Sequence, residues 1–511
     1  MCLSQLILER GNGSEPSTLD PHKASGTWEN NIIGDLFLGL TTELPDGNKG
    51  PGAAISWLVD DTGLSYKFKL RKGLRWSDGT PLTAEDFVFA FRRILNPDTV
   101  SSYASLLFSI KNARSAYSGK VGIEKLGVRS LSEDILEISL EEKIPFLLEL
   151  LSHPTTFPVP KHIVEKYGDA WIKPEYFVSN GAFVLTEWVP HGHIKVKKNP
   201  YFYDKKNVHL DEINYYPIDD ARTALKMFMA GNIHMNIGVN AFPAQQVAAI
   251  REELPGEARI YPSLGNSYLP MNNSKPPFDE LSVRKAISML INREIINDRV
   301  MAVGNSNAYS FVPPQTRNYV LGAGLDFELL NMKDRRSAAL TLLSDAGYNT
   351  NNPLVFTLTI RNSYENMRRA NAISAMLRSA GVVVKILAHE ARVVYGLMRA
   401  GDYQLGDAGW VADYNDPQNF LYLLTCDAGS MNYSRYCNPR YDSLMMQASK
   451  VSSLQARARL LFRAEQLMLN DHPIIPMAFI QHRNLVSKKI SGFIDNINNI
   501  HRSRYLSINN H

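Results

Sequence analysis

The segment QLGDAGWVADYNDPQNF, Gln404 to Phe420, places a carboxylate, Asp413, three residues after a tryptophan, Trp410. Its small residues leave backbone amide and carbonyl groups accessible to an extended ligand. A protonated amine is costly to desolvate unless a carboxylate meets it, and such a charge-assisted hydrogen bond is about twice as strong as a neutral one. The indole adds an apolar wall and a ring face for a cation. The segment therefore predicts a site for an extended ligand that is cationic at one end.

A structural role for the same residues is the alternative. In that interpretation Asp413 caps a helix that begins near Asp416 and Pro417, because aspartate is a preferred N-cap residue. Trp410 is then an ordinary core residue. The residues alone leave both interpretations open.

The totals of the chain limit the classes of function. At 511 residues the chain is too long for one core, so two or three domains are expected. Its 55 basic and 51 acidic residues give a net charge of +4, and no basic run is interleaved with aromatic residues, so we expect no nucleic-acid partner. No stretch approaches the roughly 18 consecutive apolar residues of a membrane span, which predicts a soluble protein.

Motifs of catalysis and metal binding are missing from the sequence. It contains no H-E-x-x-H, P-loop, G-x-G-x-x-G or Ser-His-Asp signature, and its carboxylates lack a diagnostic glycosidase spacing. His191 and His193 alternate along a predicted strand, but no third ligand lies nearby in the sequence. We therefore expect neither a metal nor a cofactor, and a hydrolase is the remote alternative.

Local patterns predict several elements. Thr83 and Asp86 approach a capping box, and the apolar residues that follow form one helical face: Phe87, Ala90, Phe91 and Ile94. Longer helices are predicted at Ser282–Met301, Asp334–Gly347 and Leu454–Asp471. Strand and helix patterns alternate between Leu354 and Glu390, which predicts an α/β lobe.

Dispersed motifs, taken together, resemble one family. They are TLDPHK (Thr18 to Lys23), LRKGLRWSDGTPLTAEDFV (Leu70 to Val88), SYASLL (Ser102 to Leu107), NGAF (Asn180 to Phe183), NPYFYD (Asn199 to Asp204), PPFDELSVRKAI (Pro276 to Ile287) and AGWVADYNDP (Ala408 to Pro417). In this order they resemble the periplasmic oligopeptide-binding proteins, the solute-binding receptors of peptide ABC importers. The likeness runs from about Leu19 almost to the C-terminus.

The resemblance implies a two-lobed α/β periplasmic-binding-protein fold (type II, cluster C) with a hinge and an inserted accessory domain. The implied boundaries are 1–38 and 163–264 for the first lobe, 39–162 for the accessory domain, 265–480 for the second lobe and 481–511 for a return to the first. The lobes would close on a ligand.

The resemblance also implies the function and its residues. Asp413 would pair with the α-amine of a short peptide, which the monomeric receptor delivers to an inner-membrane ABC permease from the periplasm. A single other ligand, such as a murein tripeptide or haem, is the alternative. The other implied ligand-binding residues are Ser25, Gly26, Thr27, Tyr103, Tyr268, Gly409, Trp410 and Val411. For Tyr103, a buried core position is the competing interpretation.

Two departures from the family concern the same region. The positions of Gly265 and Val411 are a disulfide-bonded cysteine pair in the best-known relatives, and both cysteines are absent here. Relatives carry arginines that help to hold the peptide carboxylate where this chain has Met398 and Asp407. Arg399 lies one residue away and becomes the candidate for that end of the ligand, with His389 and Arg392 in the same region.

The cysteines and the N-terminus bear on the compartment. Cys426 and Cys437 bracket a turn-rich segment that resembles the disulfide-closed loop of dipeptide-binding proteins; two unpaired thiols are the alternative. A disulfide would imply an oxidising compartment. The start MCLSQLILER is too short for a signal peptide and lacks its basic region, so we expect a start inside the gene or a trimmed chain. We expect Cys2 to be a free thiol, since no lipobox precedes it.

Overall fold

The computed structural model describes residues 5–101, 103–238, 241–451 and 453–509, without the side chains of Gln245 and Arg392. Cys2, and therefore the expectation of a free thiol there, lies outside the described residues, as does Ser102. The chain divides into two compact units, one formed by residues up to Tyr261 together with His482–His511, the other by Pro262–Gln481. The predicted boundaries of the lobes and of the accessory domain stay predictions.

The first unit begins with eleven short strands and seven helices in the part of the chain that is described up to Tyr261. The strands are β1 Ile7–Gly11, β2 Thr41–Glu43, β3 Lys49–Pro51, β4 Ala54–Val59, β5 Ser65–Leu70, β6 Val128–Ser132, β7 Ile135–Ser139, β8 Phe183–Val189, β9 His193–Lys198, β10 Glu212–Tyr216 and β11 Met235–Asn236. The helices are α1 Thr27–Leu36, α2 Ala84–Ile94, α3 Ala113–Tyr117, α4 Leu147–Leu150, α5 Lys161–Tyr167, α6 Ala221–Met229 and α7 Val247–Glu253.

Two sheets organise this unit. Strand β1 runs parallel to both β10 and β11, and β9 and β8 continue the sheet in antiparallel fashion. A separate antiparallel sheet has the order β4-β5-β7-β6. One continuous hydrophobic core joins both, since Leu8 and Ile213 belong to the same cluster as Phe68 and Leu136.

The capping box predicted from Thr83 and Asp86 begins α2. The Thr83 amide donates to the Asp86 carboxylate at 2.8 Å, which confirms that the first turn closes on itself. The predicted apolar face is also confirmed, because Phe87, Phe91 and Ile94 are all buried in the core.

The second unit alternates strands and helices as predicted. Strand β12 Ala258–Pro270 leads into it, followed by α8 Leu281–Leu290, β13 Ser306–Asn307, α9 Met332–Asp345, β14 Val355–Arg361, α10 Tyr364–Arg378, β15 Val383–His389, α11 Ala391–Ala400, β16 Leu405–Gly406, β17 Ala408–Val411, α12 Gln418–Leu421, α13 Pro439–Lys450 and α14 Leu454–Asp471. Strand β18 Ile474–Val486 leads back, and β19 Ile490–Ser491 pairs with β20 Ser507–Ile508.

Parallel strands flank β14, which lies between β15 and β16. Helix α10 connects β14 to β15 and begins at a capping serine, Ser363, whose hydroxyl accepts the Asn366 amide at 3.2 Å. Its apolar face packs on the strands through Ile373 and Leu377, which are buried. Both the βαβ pattern and the bounds of α14 agree with the sequence-based expectation.

The single helix predicted at Ser282–Met301 is wrong. Helix α8 ends at Leu290, Ile291 is extended, and a π-helical turn covers Ile295–Met301. The break turns the Arg293 guanidinium inward, where it donates to the carbonyls of Ser288 and Ala308 and has no exposed surface. A buried arginine needs such acceptors, which a continuous helix would use internally.

Candidate functional site

A two-stranded ribbon in the second unit carries most of the predicted ligand residues. Strand β17 pairs antiparallel with β12, with Gly265 opposite Val411 and Tyr268 opposite Ala408. β17 ends the strand order, so among the described strands its other edge is unpaired. Gly409 and Val411 are exposed. The ribbon therefore presents backbone donors and acceptors that an extended chain can pair with.

The register explains the joint absence of two cysteines. Gly265 and Val411 are directly opposite, the relation that a cross-strand disulfide requires. A Cβ atom on Gly265 would lie 2.6 Å from the Ile480 side chain, so Ile480 fills the space that a larger residue would need. In this chain the Ile480 side chain therefore packs against Gly265 at the position opposite Val411.

One asparagine organises the turn after β17. The Asn419 side-chain oxygen accepts both the Trp410 indole N–H, at 2.8 Å, and the Asp413 amide, at 3.3 Å. Trp410 is half-buried, with its ring 6.2 Å from that of Tyr422. The interpretation of Trp410 as an ordinary core residue is therefore not favoured.

Asp413 is a half-buried carboxylate with no ion-pair partner among the described residues. Burial raises the pKa of its carboxyl to about 6, and a side-chain hydrogen bond with Asn419 opposes the shift. A desolvated carboxylate of this kind is stabilised when a cation arrives. It is the arrangement expected of an amine-binding group.

Asp416, and not Asp413, accepts a hydrogen bond at the start of the helix. Helix α12 begins after Pro417, and the Asp416 carboxylate, not that of Asp413, accepts the Gln418 amide at 2.9 Å. Arg457 of α14 donates to both oxygens of Asp416, at 2.7 and 2.8 Å, and both residues are buried. The ion pair between Asp416 and Arg457 therefore attaches the turn that contains Asp413 to α14.

Asp407, the residue before β17, is a second carboxylate, and an arginine of the protein compensates its charge. Asp407 is buried, and Arg369 of α10 donates to its oxygens at 2.6 and 2.5 Å. The same guanidinium donates to Ser267 of β12 at 3.2 Å. Met398, the other position at which this chain departs from its relatives, is fully buried. Arg399 is exposed on α11, and no ion pair of its side chain is found among the described residues.

Tyr268 is 4% exposed and forms the buried floor of the ribbon. The Phe311 ring meets it edge to face at 5.1 Å. Glu465 of α14 holds that ring in place, because its carboxyl accepts the amides of Phe311 and Val312 at 2.6 and 2.8 Å. Burial raises the pKa of the Glu465 carboxyl to about 8, which the two amides oppose.

The remaining predicted ligand residues lie in the first unit. Ser25 and Thr27 are exposed at the start of α1, with Gly26 as its N-cap. A Cβ atom on Gly26 would come within 2.1 Å of the buried Glu29 carboxylate, so a larger residue here would need the Glu29 side chain to move. The Tyr103 ring is half-buried and lies 5.3 Å from that of His153, so it is neither a fully buried core residue nor exposed.

The predicted disulfide between Cys426 and Cys437 is present, with Cα atoms 4.6 Å apart. The Cys426 amide donates to the Asp442 carboxylate of α13, which ties the closed loop to that helix. No group of three metal-ligating side chains occurs in the described part of the chain. His193 instead faces Glu187 across a hairpin, at 3.3 Å.

Sequence reasoning missed three features of this site. Asn419, Arg369 and Glu465 shape it through hydrogen bonds, yet only Asn419 is close to Asp413 in sequence. For Asn419, the signal was its position two residues after Pro417, at the start of a helix. Arg369 and Glu465 lie 38 and 154 residues from their partners, and no local pattern marks them.

The chain belongs to a family of bacterial receptors: residues 50–432 match the family model described as bacterial extracellular solute-binding proteins, family 5 middle. It is 36% identical over 489 residues to the periplasmic oligopeptide-binding protein OppA of Escherichia coli, a match that covers 95% of this chain and 89% of the relative. The resemblance read from the motifs is thus confirmed. Proteins of this family bind solutes, so the chain is a receptor rather than an enzyme.

Solved structures support the same conclusion. The Escherichia coli murein tripeptide binding protein MppA matches with a TM-score of 0.87 and 33% identity, covering 100% of this chain and 99% of the other. Haemophilus influenzae OppA in complex with RPPGFSPFR matches with a TM-score of 0.85 and 30% identity, covering 99% and 100%. The predicted two-lobed α/β binding-protein fold is confirmed. Among the described residues, no helix has the length and apolarity to cross a membrane.

Proposed function

We propose that this chain is the periplasmic receptor of an ABC importer and that it captures short, extended peptides by their α-amine. The observation that carries the proposal is Asp413, which is half-buried and lacks an ion-pair partner among the described residues. Two relatives of the chain are an oligopeptide-binding and a murein-tripeptide-binding protein. A peptide amine is the cation that such a site would take.

The carboxylate of Asp413 and a peptide ammonium group would compensate each other's charge. A carboxylate that is already desolvated pays little further desolvation when an ammonium group meets it, and each charge then compensates the other. Asp407 and Asp416, also buried, already have arginine partners. Asp413 is therefore the carboxylate of this ribbon that an incoming cation would complete.

The rest of the peptide would pair with the open edge of β17. Gly409, Trp410 and Val411 offer backbone groups there, and addition of a strand to a sheet edge gives affinity through main-chain bonds. A Cβ atom on Gly409 would lie 2.9 Å from the Asn266 carbonyl, so the close approach of the two strands requires glycine. Recognition through the main chain accounts for tolerance of many side chains.

The other predicted ligand residues are part of the same proposal. Gly26 and Thr27 offer the N-terminal turn of α1, and Tyr103 offers a half-buried ring. Tyr268 lies under the ribbon, and Arg399 is the exposed cation beside the buried Met398. Closure of the lobes, action as a monomer and delivery to an inner-membrane permease follow from the family and are part of the same proposal.

A single peptide-like ligand is the second candidate. The structural match to a murein tripeptide binding protein, with a TM-score of 0.87, is the reason to consider it. The ion pair of Asp407 with Arg369 also distinguishes this site from one with a free arginine for a carboxylate. The protein purified from its own periplasm would carry one species in that case and a mixture of peptides under the main proposal, which denaturing mass spectrometry distinguishes.

The decisive experiment compares peptides with free and acetylated N-termini by calorimetry. We expect N-acetylation to weaken binding to the wild type by about 2–5 kcal/mol, the usual cost of removing one partner of a buried charged pair. Asp413→Asn should lose a similar amount for the free peptide and little more for the acetylated one. Asp402→Asn is the matched control, because that carboxylate is exposed and, among the described residues, its ion pair is with Lys275 at the surface. Equal binding of both peptides to the wild type would refute the proposal.

A further inference from the structure

Five tyrosines of the second unit converge on one place. Tyr268 is buried under the ribbon, the Tyr403 ring packs at Gly406 beside Pro270 of β12, and Tyr395, Tyr422 and Tyr433 act together with Tyr403 on the Tyr268 hydroxyl. Burial raises the pKa of the Tyr268 hydroxyl well above its ordinary value, and the four neighbouring hydroxyls add to that shift. We name these five residues the tyrosine cluster.

Separate elements bring the cluster together. Tyr395 lies on α11 and Tyr433 lies within the loop that the Cys426–Cys437 disulfide closes, with ring centroids 6.3 Å apart. The Tyr403 hydroxyl donates to the Tyr433 carbonyl, which fixes the two segments to each other. Tyr422 meets the Trp410 ring at 6.2 Å and 74°, so the cluster continues into the ribbon beside Asp413.

The cluster is not a closed core. Tyr268 and Tyr403 are each 4% exposed, whereas Tyr395, Tyr422 and Tyr433 are all half-buried. Ring faces with partial exposure around a buried floor are typical of a pocket for a side chain, since tyrosine supplies contact area at low cost in conformational entropy.

The charges around the cluster are largely accounted for. The buried carboxylate of Asp407 is neutralised by Arg369, which also donates to Ser267, the residue before Tyr268. An arginine borders the aromatic surface: the Arg361 guanidinium is 6.0 Å from the centroid of the Tyr395 ring. A guanidinium beside a tyrosine ring extends a stacking surface.

We propose that the tyrosine cluster is a side-chain subsite that selects peptides containing an aromatic residue. This inference rests on the proposed function, and it names the ligand class within it. An aromatic side chain would stack against Tyr395, Tyr422 and Tyr433, the half-buried rings. Aromatic pairs of this geometry favour binding by about threefold to tenfold each beyond simple burial.

The length of the ribbon suggests which peptides to use. Strand β17 is extended from Ala408, opposite Tyr268, to Val411, about 10 Å at the rise of a strand, and Asp413 lies two residues beyond its end. A peptide of about five residues therefore reaches from the amine site to the cluster. The ribbon does not fix which peptide position meets the cluster. The aromatic residue is therefore placed in turn at positions two to five.

The test measures affinities of Ala-Ala-Ala-Ala-Ala and of its variants with one Phe or one Glu at each position. We expect at least one Phe peptide to bind the wild type ten times or more tighter than the all-alanine peptide. Tyr395→Ala and Tyr433→Ala should reduce that ratio below about three, and Tyr395→Phe should retain it because the ring remains. Tyr364→Ala is the control, because that tyrosine is 68% exposed at the start of α10 and lies outside the cluster.

Three results would overturn the subsite. They are equal binding of the Phe and alanine peptides, tighter binding of a Glu peptide than of every Phe peptide, and an unchanged Phe preference in both alanine variants. The proposed function fails differently: no pentapeptide would bind, or N-acetylation would have no effect. A protein that binds free-amine pentapeptides without an aromatic preference would thus keep the proposed function and lose only the subsite.

Discussion

Asp407 and Asp413 lie six residues apart at opposite ends of the same strand, yet their surroundings differ. Asp407 is buried and bound by the Arg369 guanidinium through both oxygens, so its charge is compensated within the protein. Asp413 is half-buried, and its carboxyl has a neighbouring amide but no cation among the described residues. One carboxylate completes the fold, and the other is left for a ligand.

The comparison shows that burial alone does not mark a functional acid. Asp407 is more deeply buried than Asp413, but a buried pair is a structural unit whose removal strands a charge. What distinguishes Asp413 is desolvation without compensation, which raises its pKa and prepares it for a cation. The same contrast separates Asp416, which Arg457 neutralises, from the site residue three positions earlier.

The largest expected effect comes from breaking the ion pair between Asp407 and Arg369. Arg369→Met leaves Asp407 buried without a partner, and we expect a loss of about 3–5 kcal/mol in the free energy of unfolding. Asp413→Asn removes an uncompensated charge and should cost nothing or stabilise slightly. Chemical denaturation of the two variants beside the wild type measures the difference.

A double variant serves as the control for this prediction. Arg369→Met combined with Asp407→Leu removes both charges, and replacement of a buried pair by apolar residues is often nearly neutral. It should therefore recover most of the lost stability. Equal stabilities of Arg369→Met and Asp413→Asn would show that the two carboxylates do not differ in the way described.

A smaller effect is expected in the pH dependence of binding at Asp413. The raised pKa of Asp413, about 6, means that below this pH the carboxyl is protonated and must lose its proton before it pairs with an amine. The affinity for a free-amine peptide should therefore fall as pH drops from 6 to 5, by up to about tenfold per unit. Calorimetry at several pH values measures this loss.

The same titration has an internal check. Binding at pH 5 to 6 should release protons, which buffers of different ionisation enthalpy reveal. Asp413→Asn should lack this acid limb and release no protons there. An affinity that stays constant from pH 7 to pH 5 in the wild type would contradict the raised pKa.

Local sequence predicted the parts of the fold that local forces determine. The capping box at Thr83 and the full extent of α14 depend on residues within a few positions of each other, and both are correct. The helix predicted through Ile291 failed because Arg293 turns inward to carbonyls contributed from far along the chain. No periodicity in a window of that length contains this information.

The site divides in the same way. Asp413 and Trp410 stand in one motif, so the sequence could nominate them together, and it also marked Asp407 and Met398 as departures. It could not find Arg369, which lies 38 residues before Asp407 on a different helix. Nor could it predict the tyrosine cluster, whose members come from β12, α11 and the segments around the disulfide. Such groupings exist only once the chain has folded.

The measurement that tests the central claim most directly is a structure of the protein with a bound free-amine pentapeptide. The account predicts the peptide's ammonium nitrogen within hydrogen-bonding distance of the Asp413 carboxylate, about 2.7–2.9 Å, with the peptide main chain paired along β17. A peptide whose amine lies elsewhere, with Asp413 facing solvent, would contradict it.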